Sequence, residues 1–168
     1  MKNFINSDDI SDYKKIVEEA IQLKSNPNQL EDIGKNKSIG LLFFNPSLRT
    51  RISTQKASMI LGLKTFVMNF NSEGWQLEFE NNTIMSEDKA EHVKDAAKVL
   101  SEYCDIIAIR KFADLNNKID DEKEIVLSSF LKYSTVPILN LESSTFHPLQ
   151  GLADAITIHE TKNKARSL

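Results

Sequence analysis

Apolar residues recur at helical spacing near the start of the chain, at Ile10, Tyr13, Val17, Ala20 and Ile21. That spacing predicts a helix over residues 10–23, with residues 7–9 available as its N-cap. The polar, proline-containing stretch 25–37 reads as a loop leading into the compact run Ile39-Gly40-Leu41-Leu42-Phe43-Phe44. This run is too short for an independent helix, is aromatic-rich and stops at Asn45-Pro46, so it predicts a buried strand. Ile52, Met59, Ile60 and Leu63 mark one face of a helix ending near Gly62, and residues 65–70 read as a second strand. Val93, Ala96, Ala97, Leu100 and Cys104 form the cleanest helical stripe and lead into a third strand, residues 105–109. A weaker helix covers residues 121–132, a fourth strand residues 137–141, and a last helix runs from about Leu149 toward Glu160.

Strands that alternate with helices and are almost continuously apolar predict an α/β fold. The expected form is a three-layer domain with a central parallel sheet of about four strands flanked by helices. Two longer polar loops, residues 71–88 and 112–120, interrupt the alternation. Ligands of open α/β sheets bind beyond the C-terminal ends of the strands, so the residues at those ends carry the functional reading.

Composition narrows the classes. The 168 residues fit one domain, and 40% hydrophobic with 27% charged residues is ordinary for a globular protein. A net charge of −3 argues against a dedicated nucleic-acid binder. No apolar stretch approaches the ~20 residues a membrane span requires. The N-terminus lacks an apolar signal core, which gives a cytoplasmic expectation with no nucleic-acid and no membrane partner. Cys104 is the single cysteine and reads as a buried structural thiol.

The first strand runs into Asn45-Pro46-Ser47-Leu48-Arg49-Thr50-Arg51 and then a helix. Hydroxyls, backbone N–H groups and arginines gathered at a helix N-terminus suit an anion, and Arg49 adds a planar two-pronged donor. Two arginines in a first helical turn oppose the helix dipole, a conflict that a bound polyanion resolves. The bland alternative is an N-cap serine followed by solvated arginines. The third strand ends in Arg110, a second cation aimed at the same region. The fourth ends in Glu142, followed by Ser143-Ser144-Thr145-Phe146-His147-Pro148-Leu149-Gln150 at a helix start. His147 and Gln150 can address a carbonyl oxygen and an amide-like group.

Ser47-Leu48-Arg49-Thr50-Arg51 resembles the Ser-x-Arg-Thr-Arg signature of the aspartate and ornithine transcarbamoylases. His147-Pro148-Leu149-Gln150 resembles their His-Pro-x-Gln signature, and Arg110 occupies the family's strand-end arginine position. The resemblance covers essentially the whole chain as the family's N-terminal carbamoyl-phosphate domain. Leu48 departs from the usual threonine. Together with Phe43-Phe44-Asn45-Pro46 and Trp75 it looks like the branch acting on N-succinylornithine or N-acetylornithine.

The resemblance implies attack of a neutral amine on the carbonyl carbon of carbamoyl phosphate with loss of phosphate, without metal or cofactor. Ser47, Arg49 and Thr50, with the backbone at Leu48, would hold the phosphate. Arg110, His147 and Thr50 would polarise the carbonyl oxygen, and Gln150 would hold the carbamoyl nitrogen, with Pro148 and Leu149 completing the site. Arg110, His147 and Gln150 are the implied catalytic residues. Glu142 would contact the acylated ornithine, and Trp75 would reach the carbamoyl-phosphate site of a neighbour in a homotrimer. Ala90, small and uncharged in the acyl-discriminating region, leans toward N-succinylornithine, ahead of N-acetylornithine and ornithine. The chain is expected to be one domain, residues 1–168, without the second, amino-acid-binding domain of the family. A non-catalytic phosphate-binding or assembly module is the alternative from another class. A flavodoxin-like nucleotide domain is weakened by the absence of a glycine-rich loop after the first strand.

Overall fold

The computed structural model describes residues 2–70, 72, 76–84 and 89–165, with side chains as far as residue 162. In chain order the first half comprises α1 (Tyr13–Ser25), β1 (Ser38–Phe43), α2 (Arg49–Ile60), β2 (Lys64–Asn69), β3 (Gln76–Glu78) and β4 (Lys89–His92). The second half comprises α3 (Val93–Tyr103), β5 (Ile106–Arg110), α4 (Lys118–Glu122), α5 (Ile125–Tyr133), β6 (Ile138–Glu142) and α6 (Pro148–Ala165). The apolar runs pair as a four-stranded parallel sheet in the order β2-β1-β5-β6, as the patterning predicts.

Alternating side chains of these strands feed two cores. On one face Leu42, Ile107 and Ile109 meet Val93, Ala96 and Ala97 of α3 and Val126, Leu127 and Phe130 of α5. On the other, Ile39, Leu41, Phe43, Ala108 and Leu141 pack with Leu149 of α6. Fully burying one such aliphatic or aromatic side chain contributes about 1.5–3 kcal/mol, and Leu41, Leu42, Ile107, Leu141 and Phe130 are completely buried. A methyl at Gly40 would lie 2.9 Å from the Cys104 sulfur, so the strand passes the thiol only as glycine. Cys104 is buried, as expected, and burial, with the charge of Asp105 second, pushes its pKa up.

Local chemistry moves several expected boundaries. Residues 7–9 form their own 3₁₀ turn, capped by Asn6, and α1 is capped instead by Asp12, whose carboxylate accepts from Lys15 N. The stretch 25–37 contains a 3₁₀ turn, Pro27–Leu30. The single helix expected over 121–132 is two helices, separated by Glu124 in the left-handed region (φ 45°). α6 begins one residue earlier than expected, with Pro148 at its first position, where a missing N–H costs nothing. It also runs past Glu160 to Ala165. The face marked by Ile52 and Met59 on α2 is exposed, and the buried side chain of that helix is Ser58.

The polar stretch 71–88 reads as a loop, but Gln76–Glu78 pairs with Lys89–His92 as a small parallel sheet at its ends. No apolar alternation announces these strands. Their join is polar: buried Glu78 bonds Lys89 Nζ at 3.0 Å and accepts the N–H groups of Phe79 and Glu80. The Glu80 N–H first, then Lys89, holds the Glu78 carboxyl below its ordinary value of 4.5. Stability from a lowered carboxyl is present above the unfolded-state value and is lost as pH falls through the folded one. Glu78→Gln should therefore melt below the wild type at neutral pH, with the gap closing as pH drops below 4.5. Thermal melts across that range check this, and a gap independent of pH would contradict it.

Candidate functional site: the cleft between β1 and β5

The chain leaves β1 toward β2 on one side and returns to β5 on the other, so the strand order reverses between β1 and β5. A crevice opens at such a point beyond the strand ends. Here a cleft of about 780 Å³ is lined by Ser47, Leu48, Arg49, Thr50, Arg110, Glu142, His147, Leu149 and Gln150, among others. Pro148 is buried next to it in the first turn of α6. The cleft thus gathers nearly all the residues singled out from the sequence. Trp75 lies outside the described residues.

Each wall has a local cause. Leu48 takes the N-cap position of α2 with helical dihedrals, and no side chain caps that terminus. The first N–H groups of an uncapped helix lack protein partners and favour an anion. Arg49 is exposed and has no hydrogen-bond or ion-pair partner among the described residues. Beneath this loop, Phe44 stacks on Phe70 at 4.6 Å and meets Phe130 edge-on at 6.4 Å, which anchors Asn45-Pro46.

Arg110, at the end of β5, is 8% exposed. Its Nε and one terminal nitrogen donate to Glu142 Oε2 at 2.9 and 2.7 Å. Its other terminal nitrogen donates to the carbonyls of Asn45 (3.2 Å) and Pro46 (3.0 Å), tying the loop after β1 to β5. Phe112 lies under the guanidinium, 4.8 Å from its ring centre, and its N–H donates to Asn45 Oδ1. The Glu142 carboxylate, expected against a second substrate, is engaged by Arg110.

The turn that delivers His147 is held by residues that sequence reasoning missed. Asn140, fully buried on β6, donates from Nδ2 to the Ile5 carbonyl and Ser143 Oγ at 2.9 and 3.1 Å. Ser143 N donates to the Phe146 carbonyl, and Phe146 N returns to Ser143 Oγ. Glu124 accepts from Thr145 N and Oγ1, so its strained backbone serves the same turn. An asparagine inside the apolar run Ile138-Leu139-Asn140-Leu141 was the available signal, because a buried amide needs built partners. For Glu124 the sequence offered none. His147 Nδ1 is buried without a hydrogen-bond partner among the described residues. Gln150 Nε2 donates to Asp154 Oδ1 at 2.8 Å. A carboxylate only accepts, so it is the amide nitrogen of Gln150 that is engaged here and not its carbonyl oxygen.

The arrangement offers an anion site at a helix terminus, a fixed guanidinium, an imidazole and an amide in one cleft. Among the described residues no cluster of His, Cys, Asp and Glu could hold a metal, and no helix is long and apolar enough to cross a membrane. The family model for the aspartate/ornithine carbamoyltransferase carbamoyl-P binding domain matches residues 2–160. The chain belongs to this family. It is 42% identical over 166 residues to the N-succinylornithine carbamoyltransferase of Bacteroides fragilis (strain 638R), covering 99% of this chain and 52% of that one. It is 38% identical over 162 residues to the N-acetylornithine carbamoyltransferase of Xylella fastidiosa (strain Temecula1), covering 95% and 47%. Among solved structures, a glutamate-to-alanine mutant of N-acetyl-L-ornithine transcarbamylase, complexed with carbamyl phosphate and N-succinyl-L-norvaline, superposes with TM-score 0.90 at 38% identity. That match covers 97% of this chain and 49% of the other. The chain spans about half the length of the curated relatives it matches.

If the uncapped terminus of α2 and Arg49 form an anion site, inorganic phosphate should raise the melting temperature of the wild type. Arg49→Ala should lose most of that rise. Equal shifts in both proteins, measured by differential scanning fluorimetry, would place the anion elsewhere.

Proposed function

We propose that this domain binds carbamoyl phosphate and supplies the carbamoyl half of a transferase for N-succinyl-L-ornithine in arginine biosynthesis. The observation that carries the reading is the convergence in one cleft of groups from three strand ends far apart in sequence: the 47–50 loop, Arg110, and the 142–150 turn. In this reading Ser47, Arg49, Thr50 and the amides at the start of α2 hold the phosphate dianion. Arg110, His147 and Thr50 face the carbonyl oxygen, whose negative charge grows as the amine attacks. Gln150 accepts from the carbamoyl NH₂ through its carbonyl oxygen. The carbon–nitrogen bond forms, the carbon–oxygen bond to phosphate breaks, and the leaving dianion stays paired with Arg49 and the helix terminus. Loss of one preorganised donor of this kind typically costs ~10²–10³ in rate. Glu142 and Trp75 complete the proposed site, toward the acylated ornithine and a neighbouring subunit respectively.

Succinyl rather than acetyl specificity rests on Ala90. Lys89 and Glu91 pair with consecutive residues of β3, so Ala90 is the extra residue of a bulge and is exposed. A bulge re-aims the side chains around it. A small neutral side chain there leaves room for a carboxylate, and the glutamate-to-alanine relative was solved with a succinylated ligand. N-Acetylornithine and ornithine are the other acceptors to compare.

Assembly as a cytoplasmic homotrimer belongs to the same proposal. It is supported by apolar exposure along the β2 side of the domain. Phe66 and Met68 are 50% and 37% exposed on the edge strand, and Ile52 and Met59 of neighbouring α2 are 58% and 71% exposed. Such groups gain by burial against a second copy.

The purified 168-residue chain should bind carbamoyl phosphate, and it should form citrulline derivatives only at a negligible rate, because acceptor binding and closure need a second domain. Calorimetry and a colorimetric ureido assay measure the two. Absence of carbamoyl-phosphate binding would remove the proposal, and rapid turnover would relocate the acceptor site onto this domain. Light scattering at increasing concentration tests the trimer, which a monomer throughout would exclude.

A further inference from the structure

We infer that Glu124 is a positioning residue, kept in a strained backbone at the break before α5 so that its carboxylate can fix the turn that carries His147. The inference deepens the carbamoyl-phosphate reading and rests on it. Glu124 stands between α4 and α5 with φ 45° and ψ 49°, in the left-handed region. Glycine holds that conformation without strain, whereas a residue with a side chain holds it only when its surroundings compel it. A glutamate here costs the fold stability that a glycine would spare. What glycine cannot supply is the carboxylate, whose Oε1 accepts from Thr145 N at 2.9 Å and from Thr145 Oγ1 at 2.7 Å.

The support behind this carboxylate is fixed on both sides. After Glu124, Val126, Leu127 and Phe130 of α5 are buried in the core. Before it, Asp121 of α4 accepts the N–H groups of Asp114 and Leu115 at 2.8 and 3.0 Å, which ties α4 to the loop after β5. The turn itself is held differently at its base and at its tip. Ser143 and Phe146 bond each other and, through Asn140, are joined to β6. Thr145, at the exposed tip, is held by Glu124. His147 follows directly, and its buried Nδ1 has no hydrogen-bond partner among the described residues. With no bond at Nδ1 to orient the imidazole, its placement depends on the backbone that delivers it. Glu124 does not line the cleft that holds His147, so it acts there through this backbone and not on a ligand.

Strain and clasp can be separated by substitution. Glu124→Gly removes both, Glu124→Ala removes the clasp and keeps the strain, and Glu124→Gln keeps an acceptor oxygen for Thr145. Three measurements on the 168-residue chain read the effects: thermal melts without ligand, calorimetric titration with carbamoyl phosphate, and ¹⁵N relaxation of residues 143–147. Glu124→Gly should melt above Glu124→Ala, because only the glycine relieves the backbone. Both should nevertheless bind carbamoyl phosphate about three- to tenfold more weakly than the wild type, the size of one lost hydrogen bond. In both, the Thr145 amide should become mobile. Glu124→Gln should keep that amide rigid and lose the least affinity. Affinity then follows the clasp while stability follows the backbone, a split that a purely structural residue does not produce. Wild-type affinity in Glu124→Gly, or affinity losses that rank with the melting temperatures, would overturn the inference while leaving the carbamoyl-phosphate reading intact. A wild type that binds no carbamoyl phosphate would overturn both.

Discussion

A parallel sheet sends every strand out on the same side, and the site described above depends on that constraint. β1, β5 and β6 end next to one another, so the loop after β1, the last side chain of β5 and the turn after β6 meet without a long excursion of the chain. The reversal of strand order between β1 and β5 keeps helices from filling the gap. Arg110 then spans it, holding the carbonyls of Asn45 and Pro46 from one loop and the carboxylate of Glu142 from the other side. A buried guanidinium is tolerable only when its donors are nearly all satisfied. Its satisfaction here is what makes three separate segments a single wall.

How much of this was legible follows from which interactions leave a mark in sequence. The inner strands β1 and β5 are buried on both faces, and that demands continuous apolar runs, so they read clearly. The helix start at Arg49 read correctly because Asn45-Pro46-Ser47 stops the strand just before it, which is a local signal. β3 and β4 did not read, because their join is a pair between buried Glu78 and partly exposed Lys89 rather than apolar alternation. The break before α5 was also hidden. Glu124 adopts a left-handed backbone that glutamate does not advertise, and the compensation, two bonds to Thr145, comes from 21 residues away. The α2 stripe at Ile52 and Met59 shows a further limit: periodicity marks an apolar face but does not say what will cover it.

That uncovered face and the half-length match to relatives share one physical theme. A domain that leaves Ile52, Met59 and Phe66 at 50% exposure or more, and Ile158 of α6 at 65%, has apolar surface in excess of what its own core uses. The described cleft gathers an uncapped helix terminus, a fixed guanidinium and an imidazole in one place. Asn140, Ser143 and Glu124 hold the turn before His147 and α6 through contacts within this domain.

The central claim is that the strand ends around β1, β5 and β6 form the anion and carbonyl site. It is tested most directly by following backbone amide resonances of the ¹⁵N-labelled chain during a carbamoyl-phosphate titration. The account predicts that the largest shifts fall on the amides of residues 47–51, with a second group at residues 147–151 and at Arg110. Shifts concentrated instead around Glu78, Lys89 and the acidic residues 114–124, where a second cleft lies, would contradict it.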